Sequence, residues 1–270
     1  MTTPHTPPPH GSHPAARSPW PYPRWIAHRG AGKLAPENTL AAFRHGAAHG
    51  YRMYECDAKL SADGVVFLLH DDTLERTSNG HGIAGEQPWV ALSQLDAGSW
   101  HSRGHAGEPL PTLEAVARFC QANHHALNIE IKPTTGTELA TGRAVAQAVL
   151  RLWDLPPNGS APLPDGLPAP LLTSFQPEAL AGAQAVAPGV RRGLLLESLW
   201  SGWLDMAIRL GCEAVVCDQV LWDATTVAQV RQAGMRCLAY TVNEPEAAQR
   251  LLDLGLDGII TDRVDLFPPD

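Results

Sequence analysis

His28 and Arg29 stand at the end of a short apolar run, Trp25-Ile26-Ala27, and Gly30 turns the chain straight after them. A strand fixes a side chain at its end and the following loop admits a ligand, which is where α/β proteins place chemistry. A surface histidine beside a solvated arginine is the competing reading of this stretch. Glu55 and Asp57 follow in Met53-Tyr54-Glu55-Cys56-Asp57-Ala58. Side chains alternate across a strand, so the two carboxylates share a face and Cys56 takes the other. Unpaired, they would repel and one pKa would rise. A divalent cation between them removes the conflict, and salt bridges to Lys or Arg are the other solution. Val65 to Leu69 is an apolar strand that ends in a second histidine, His70. In Ala126-Leu127-Asn128-Ile129-Glu130-Ile131-Lys132, the polar residues Asn128, Glu130 and Lys132 share one face and the apolar ones the other.

These residue types describe one chemistry. Glu55, Asp57 and Glu130 suit a hard cation with oxygen ligands, Mg²⁺ or Ca²⁺. No Cys or His cluster has zinc spacing. His28 and His70 supply a general acid and a general base near neutral pH. Arg29 offers a planar fork matched to phosphate oxygens, and Lys132 a second positive charge. Together they fit phosphodiester cleavage, in which cations offset charge on the phosphoryl oxygens while histidines move protons.

The elements that must position these groups are legible in the periodicity. Strand patterns recur near residues 25, 54, 128, 172, 194, 215, 238 and 259, most of them followed by a helical pattern. Eight βα units in 270 residues predict an α/β fold of the TIM (β/α)8 barrel type. A doubly wound open sheet is the competitor, disfavoured because no Gly-rich nucleotide fingerprint follows the first strand. In the barrel all the polar residues above fall near the C-terminal ends of the first strands. Asn38 is expected to cap the first helix, Thr112 the next, and Asn243 the last, with Glu246 completing a capping box and Gly255 stopping it. Asp63-Gly64 reads as a hairpin turn. From Asp72 to Pro111 the pattern breaks, and this stretch is expected to be a small inserted cap over one end of a domain spanning 24–270. Pro156 to Pro170 reads as a Pro/Gly-rich loop.

Composition narrows the class. The net charge of −8 with no basic block argues against a nucleic-acid surface. Five cysteines without a CxxC pair read as buried free thiols in a reducing compartment, hence a cytoplasmic protein. The Pro- and His-rich residues 1–23 read as a mobile tail in which His5, His10 and His13 bind metal only adventitiously. No run reaches the roughly 18 apolar residues of a membrane span.

Six motifs in register now carry a resemblance: His28-Arg29-Gly30, Pro36-Glu37-Asn38-Thr39, Glu55-x-Asp57, His70-Asp71, Asn128-Ile129-Glu130-Ile131-Lys132 and Tyr240-Thr241-Val242-Asn243. The chain resembles the glycerophosphodiester phosphodiesterase family over residues 20 to about 267. Trp20-Pro21-Tyr22-Pro23, Leu74 to Gly80 and Lys132 to Thr137 are similar to the cytosolic bacterial type associated with glycerol-3-phosphate uptake. The resemblance implies a TIM barrel with a small inserted domain. It implies a cation held by Glu55, Asp57 and Glu130, an acid-base pair of His28 and His70, and a phosphate held by Arg29 and Lys132. Phe175 and Tyr240 are the candidates for packing against the glycerol group, with Tyr240 standing where many relatives have Trp. The implied reaction uses the substrate's own glycerol hydroxyl to form a cyclic phosphate that water opens, releasing sn-glycerol 3-phosphate and an alcohol such as choline or ethanolamine. Two other readings stand beside it: a phospholipase-type lyase that releases the cyclic phosphate, and a barrel that binds phosphoesters without turnover. A small-molecule substrate and a monomer or homodimer without stable membrane association are expected.

Overall fold

A computed structural model describes residues 20–156, 158 and 166–269. The described chain holds nine strands: β1 (Trp25–Ala27), β2 (Met53–Leu60), β3 (Val66–Leu68), β4 (Ala126–Ile131), β5 (Leu171–Ser174), β6 (Arg192–Leu196), β7 (Ala214–Asp218), β8 (Arg236–Tyr240) and β9 (Gly258–Thr261). All neighbours pair in parallel except β3, which runs antiparallel to β2 with Leu60 opposite Val66. Strand β1 pairs with both β9 and β2, so the eight parallel strands close on themselves. The fold is therefore a TIM barrel, with the Asp63-Gly64 turn joining the antiparallel pair β2 and β3 and Gly64 at φ 84°.

Helices α1 (Leu40–Ala48), α3 (Leu113–Ala122), α4 (Glu138–Leu152), α5 (Pro177–Val186), α6 (Trp203–Arg209), α7 (Ala224–Gln232) and α8 (Pro245–Asp253) surround the sheet, and a single turn, α2 (Trp89–Leu92), lies in the 72–111 segment. The period of two sorts the strand residues. Tyr54, Cys56, Leu127, Ile129, Val215 and Cys217 face outward into one large core shared with the helices. Met53, Ile26, Leu171, Leu195, Leu238 and Ile260 face inward and fill the N-terminal half of the barrel. Tyr22 closes that end, 6% exposed, with its hydroxyl donating to the Ala169 carbonyl at 2.6 Å. The expected tail boundary at residue 23 thus moves back, because Trp20 and Tyr22 pack edge to face, 4.8 Å apart, under the barrel. Residues 1–19, with His5, His10 and His13, lie outside the described residues, as does part of the 156–170 loop.

Inward positions further along the same strands are polar. On β2 the order is Met53, Glu55, Asp57, Lys59, and on β4 it is Ala126, Asn128, Glu130, so each strand runs from apolar floor to charged mouth. Lys59 is fully buried, and its ammonium donates to Asp72 at 2.7 Å and to the Lys132 carbonyl at 3.3 Å. This tie anchors the start of the 72–111 segment to the barrel. Leu74, Ala84, Leu92, Ala97 and Leu110 of that segment pack with Phe67 and Leu69 into a separate small cluster. Its Glu108 accepts a hydrogen bond from the Ala41 amide, one of the free N–H groups of the first turn of α1, at 3.0 Å.

Two of the three expected asparagine and threonine caps are corrected. Thr112 caps α3, accepting from the Ala115 amide. The cap of α1 is Thr39, which accepts from the Ala42 amide, and Asn38 sits one residue outside at φ 57° with its side chain turned elsewhere. Helix α8 begins at Pro245 after Glu244 with no side-chain cap, so the Asn243–Glu246 capping box does not form. The reason is the same at both sites: each asparagine holds an aspartate at the barrel mouth. Gly255 ends α8 at φ 74°, as expected.

Candidate active site

The C-terminal mouth of the barrel gathers the sequence candidates into one place. Oxygen atoms of Glu55, Asp57 and Glu130 lie within 4.8 Å of one another. Register explains why: Asp57 on β2 stands opposite Glu130 on β4, and Glu55 opposite Asn128. Glu55 and Asp57 are 3% and 1% exposed. Burial, then the charges of Asp57 and Glu130, push the Glu55 carboxyl well above its usual range. Burial and Asp57 push Glu130 up to about 7, opposed by Lys132. Asp57 stays low despite its burial, because Arg29, His70 and Lys132 surround it and Asn38 bonds it. Glu55 Oε1 is buried without a hydrogen-bond partner. An orphan carboxylate oxygen beside two further carboxylates is the donor set of a hard divalent cation, so these residues fit one.

His28 opens a 3₁₀ turn (His28–Gly30) directly after β1. Its Nδ1 is 2.7 Å from Asp262 and its Nε2 faces Glu55 at 3.8 Å. Carboxylates thus face both ring nitrogens, and a protonated ring has an acceptor on each side. Asp262, just past β9, is held down at about 2 against its burial by the bond to His28 and by Asn243. Gly32 is required there, because a Cβ would lie 2.2 Å from Asp262 Cα. Arg29 takes the left-handed conformation, φ 49°, which aims its amide at Glu55 Oε2, 3.0 Å away. Its Nη1 donates to Glu37 at 2.8 Å and its Nε lies 3.3 Å from Asp57.

His70 has a different setting. Its Nδ1 is 2.6 Å from Asp71 and its Nε2 is 2.9 Å from the Lys132 ammonium. Only a neutral ring satisfies both neighbours, with Nδ1–H donating to Asp71 and the Nε2 lone pair accepting from Lys132. Burial pushes the His70 pKa down, Arg29 and Lys132 add to that, and Asp57 and Asp71 oppose it. Arg76 then bridges, with Nε and Nη2 on Asp71 and Nη1 and Nη2 on Glu37, all at 2.6–2.8 Å. A continuous chain of bonds therefore runs from His70 through Asp71, Arg76 and Glu37 to Arg29. Lys132 also pairs with Glu130 at 3.0 Å and lies 5.6 Å from the centre of the Phe175 ring. Phe175 and Tyr240 meet edge to face at 5.6 Å, and the Tyr240 hydroxyl donates to the Leu196 carbonyl at 3.0 Å.

All nine sequence candidates line or adjoin this mouth. Six further residues escaped the sequence reading as parts of the site: Glu37, Asn38, Asp71, Arg76, Asn243 and Asp262. Asn38 and Asn243 work alike. Asn38 accepts from the Asp57 amide at 3.0 Å and donates to Oδ2 of the same residue at 2.7 Å, and Asn243 does both to Asp262 at 2.9 Å. The signal for Asp262 was available: in a closed barrel the last strand lies beside the first, so an acid following β9 stands next to His28. Two adjoining cavities, about 160 Å³ and about 530 Å³, share His70, Glu130, Lys132, Phe175 and Tyr240 as walls. The smaller holds His28, Arg29 and Glu55, and the larger opens outward past Asp72, Glu138, Glu197 and Asp218.

A closed barrel with histidines and cations around a carboxylate cluster fits the class of a phosphoester hydrolase. The profile of the glycerophosphoryl diester phosphodiesterase family matches residues 28–266, and the chain belongs to that family. It is an enzyme that hydrolyses glycerophosphodiesters. Among curated relatives, the glycerophosphodiester phosphodiesterase of Caldanaerobacter subterraneus subsp. tengcongensis is 31% identical over 240 residues, covering 88% of this chain and 93% of its own. That of Bacillus subtilis is 28% identical over 255 residues, covering 90% and 84%. Among solved structures, a phosphodiesterase of Oleispira antarctica in complex with the product sn-glycerol-3-phosphate has a TM-score of 0.80 at 34% identity, covering 89% of this chain and 93% of its own. A glycerophosphodiester phosphodiesterase of Agrobacterium tumefaciens has a TM-score of 0.73 at 27% identity, covering 91% and 99%.

Proposed function

We propose that the enzyme cleaves glycerophosphodiesters to sn-glycerol 3-phosphate and an alcohol, with His70 as general base and His28 as general acid. The observation that carries the assignment is the contrast between the two rings: His70 stands between a carboxylate and an ammonium, His28 between two carboxylates. A neutral His70 takes at Nε2 the proton of the substrate's glycerol hydroxyl as its oxygen attacks phosphorus, once Lys132 has turned to the phosphate; the alcohol leaves, and water then opens the cyclic phosphate to sn-glycerol 3-phosphate. His28, protonated on both nitrogens, delivers its Nε2 proton to the leaving alcohol, and Asp262, which accepts from Nδ1–H, orients the ring and stabilises its charged form. Arg29 and Lys132 bind the phosphoryl oxygens. Glu55, Asp57 and Glu130 would hold a divalent cation, Mg²⁺ or Ca²⁺, which when bound would offset charge on the phosphate and favour the ionised forms of Glu55 and Glu130. Phe175 and Tyr240 wall the pocket on the glycerol side.

The product named for the Oleispira antarctica enzyme supports the same cleavage here. The five cysteines are all buried and unpaired, which supports a cytoplasmic setting. No described helix is long and apolar enough to cross a membrane. The test is incubation of the purified chain with glycerophosphocholine and glycerophosphoethanolamine plus Mg²⁺ or Ca²⁺, separating glycerol 3-phosphate from cyclic phosphate. Glycerol 3-phosphate as the final product, lost on thorough chelation, is the expected result. Turnover that survives chelation sinks the cation assignment, and accumulation of cyclic phosphate replaces hydrolase by lyase.

A further inference from the structure

Asn128 is used by nothing in the scheme above, yet its place in the fold is specific. It sits on β4 inside the barrel, paired in register with Glu55 on β2 and Leu171 on β5. It is 1% exposed and lines the smaller cavity. Its Oδ1 accepts a hydrogen bond from the Thr173 hydroxyl at 3.0 Å, while its Nδ2 has no partner. Thr173 is fully buried, and among the described residues its hydroxyl has no other acceptor. Turned over, the amide would donate to the Thr173 oxygen and leave the hydroxyl proton without an acceptor, so Thr173 favours the orientation with Oδ1 toward itself and Nδ2 left unpaired in the cavity wall. An unpaired buried N–H group is destabilising, and an acceptor arriving with a ligand removes that cost.

We infer that Asn128 recognises the substrate's glycerol group, donating from Nδ2 to a glycerol hydroxyl oxygen, with Thr173 as the positioning residue that orients it. The inference rests on the proposed function and adds to it the group that reads the glycerol. Three observations favour a hydroxyl over a phosphoryl oxygen. In the proposed function the charged oxygens of the phosphate have Arg29 and Lys132 as partners of opposite charge. The donor is a neutral amide, suited to a neutral acceptor. The cavity wall next to it is partly apolar, with Leu195 and Ile260 below, so a small uncharged fragment fits there better than a dianion. The nitrogen of an amide is not a cation ligand, which separates this residue from the three carboxylates.

The experiment titrates sn-glycerol 3-phosphate and inorganic phosphate into the wild-type chain, Asn128→Ala and Thr173→Val by calorimetry with Ca²⁺ present, and titrates Ca²⁺ alone in parallel. In N128A the affinity for glycerol 3-phosphate is expected to fall about 10-fold or more, while the affinities for phosphate and for Ca²⁺ stay within about twofold. In T173V the same pattern appears with a smaller loss, and its thermal unfolding shows whether the barrel interior is intact. An equal loss for glycerol 3-phosphate and phosphate overturns the proposal. So does weakened Ca²⁺ binding in N128A, which marks a cation-site role instead. Failure of the wild-type chain to hydrolyse glycerophosphocholine would overturn the proposed function itself and is read from a separate assay.

Discussion

The two histidines at the mouth are held by different parts of the molecule. His28 and its partners belong to the barrel: Asp262 follows the last strand, Asn243 the strand before it, and the bonds among them run 2.7–2.9 Å between groups that are mostly buried. His70 leans on Asp71, which leans on Arg76 from the 72–111 segment, and Arg76 is 45% exposed. One ring is thus fixed by the closure of the sheet and the other by an ion-pair chain at the surface. Exposed ion pairs are weak and screened by salt, whereas hydrogen bonds fixed by strand register are neither. The comparison places rigidity on the proton-donating side of the proposed site and adjustability on the base side, where Lys132 must also move.

Replacing the rings tests the division most severely. His28→Ala and His70→Ala should each lose roughly 10²–10⁴ in kcat on glycerophosphocholine. A p-nitrophenyl ester of glycerol phosphate, whose leaving group needs no proton, should rescue H28A and leave H70A inactive. Rescue of both or of neither would erase the distinction between acid and base. A step smaller, Asn38→Ala should weaken cation binding about 10–100-fold by freeing Asp57, while Asn243→Ala should leave cation affinity alone and lower kcat through Asp262. Calorimetry with Ca²⁺ alongside steady-state rates separates the two, and matching effects would deny that the paired asparagines serve different halves of the site.

Arg76→Gln should lower kcat/KM about 10-fold and flatten its dependence on ionic strength, because the screened ion pairs are gone. A rate indifferent to Arg76 would detach the 72–111 segment from the base side. The smallest expected effect is a displaced pH profile. His70 must be neutral to act, and its pKa lies below the usual histidine range, so wild-type activity should persist below about pH 6.5 before falling. Asp71 favours the charged ring, so Asp71→Asn should move that acidic limb to still lower pH while reducing the maximum rate. A limb that moves upward would reverse the assigned role of Asp71.

Much of the site was legible because strands impose a period of two. Glu55 with Asp57, and Asn128 with Glu130, could be put on one face before any coordinates, and eight such strands implied the closed sheet. The two asparagine caps were misread because Asn at a helix start has an ordinary local use. Nothing near Asn38 or Asn243 in the chain shows that each has an aspartate 19 residues away to hold. Asp262 and Arg76 were missed for the related reason that the partners tying them to the site, His28 and Glu37, lie 234 and 39 residues distant.

The order of residues alone determined the residue types of the chemistry, the strand faces they occupy and the barrel that collects them, since alternation and βα repetition are local properties of the chain. The tertiary structure decided which carboxylate meets which histidine. That pairing depends on how the sheet closes, on one glycine that lets Asp262 approach, and on how the 72–111 segment folds back, none of which is a property of neighbouring residues.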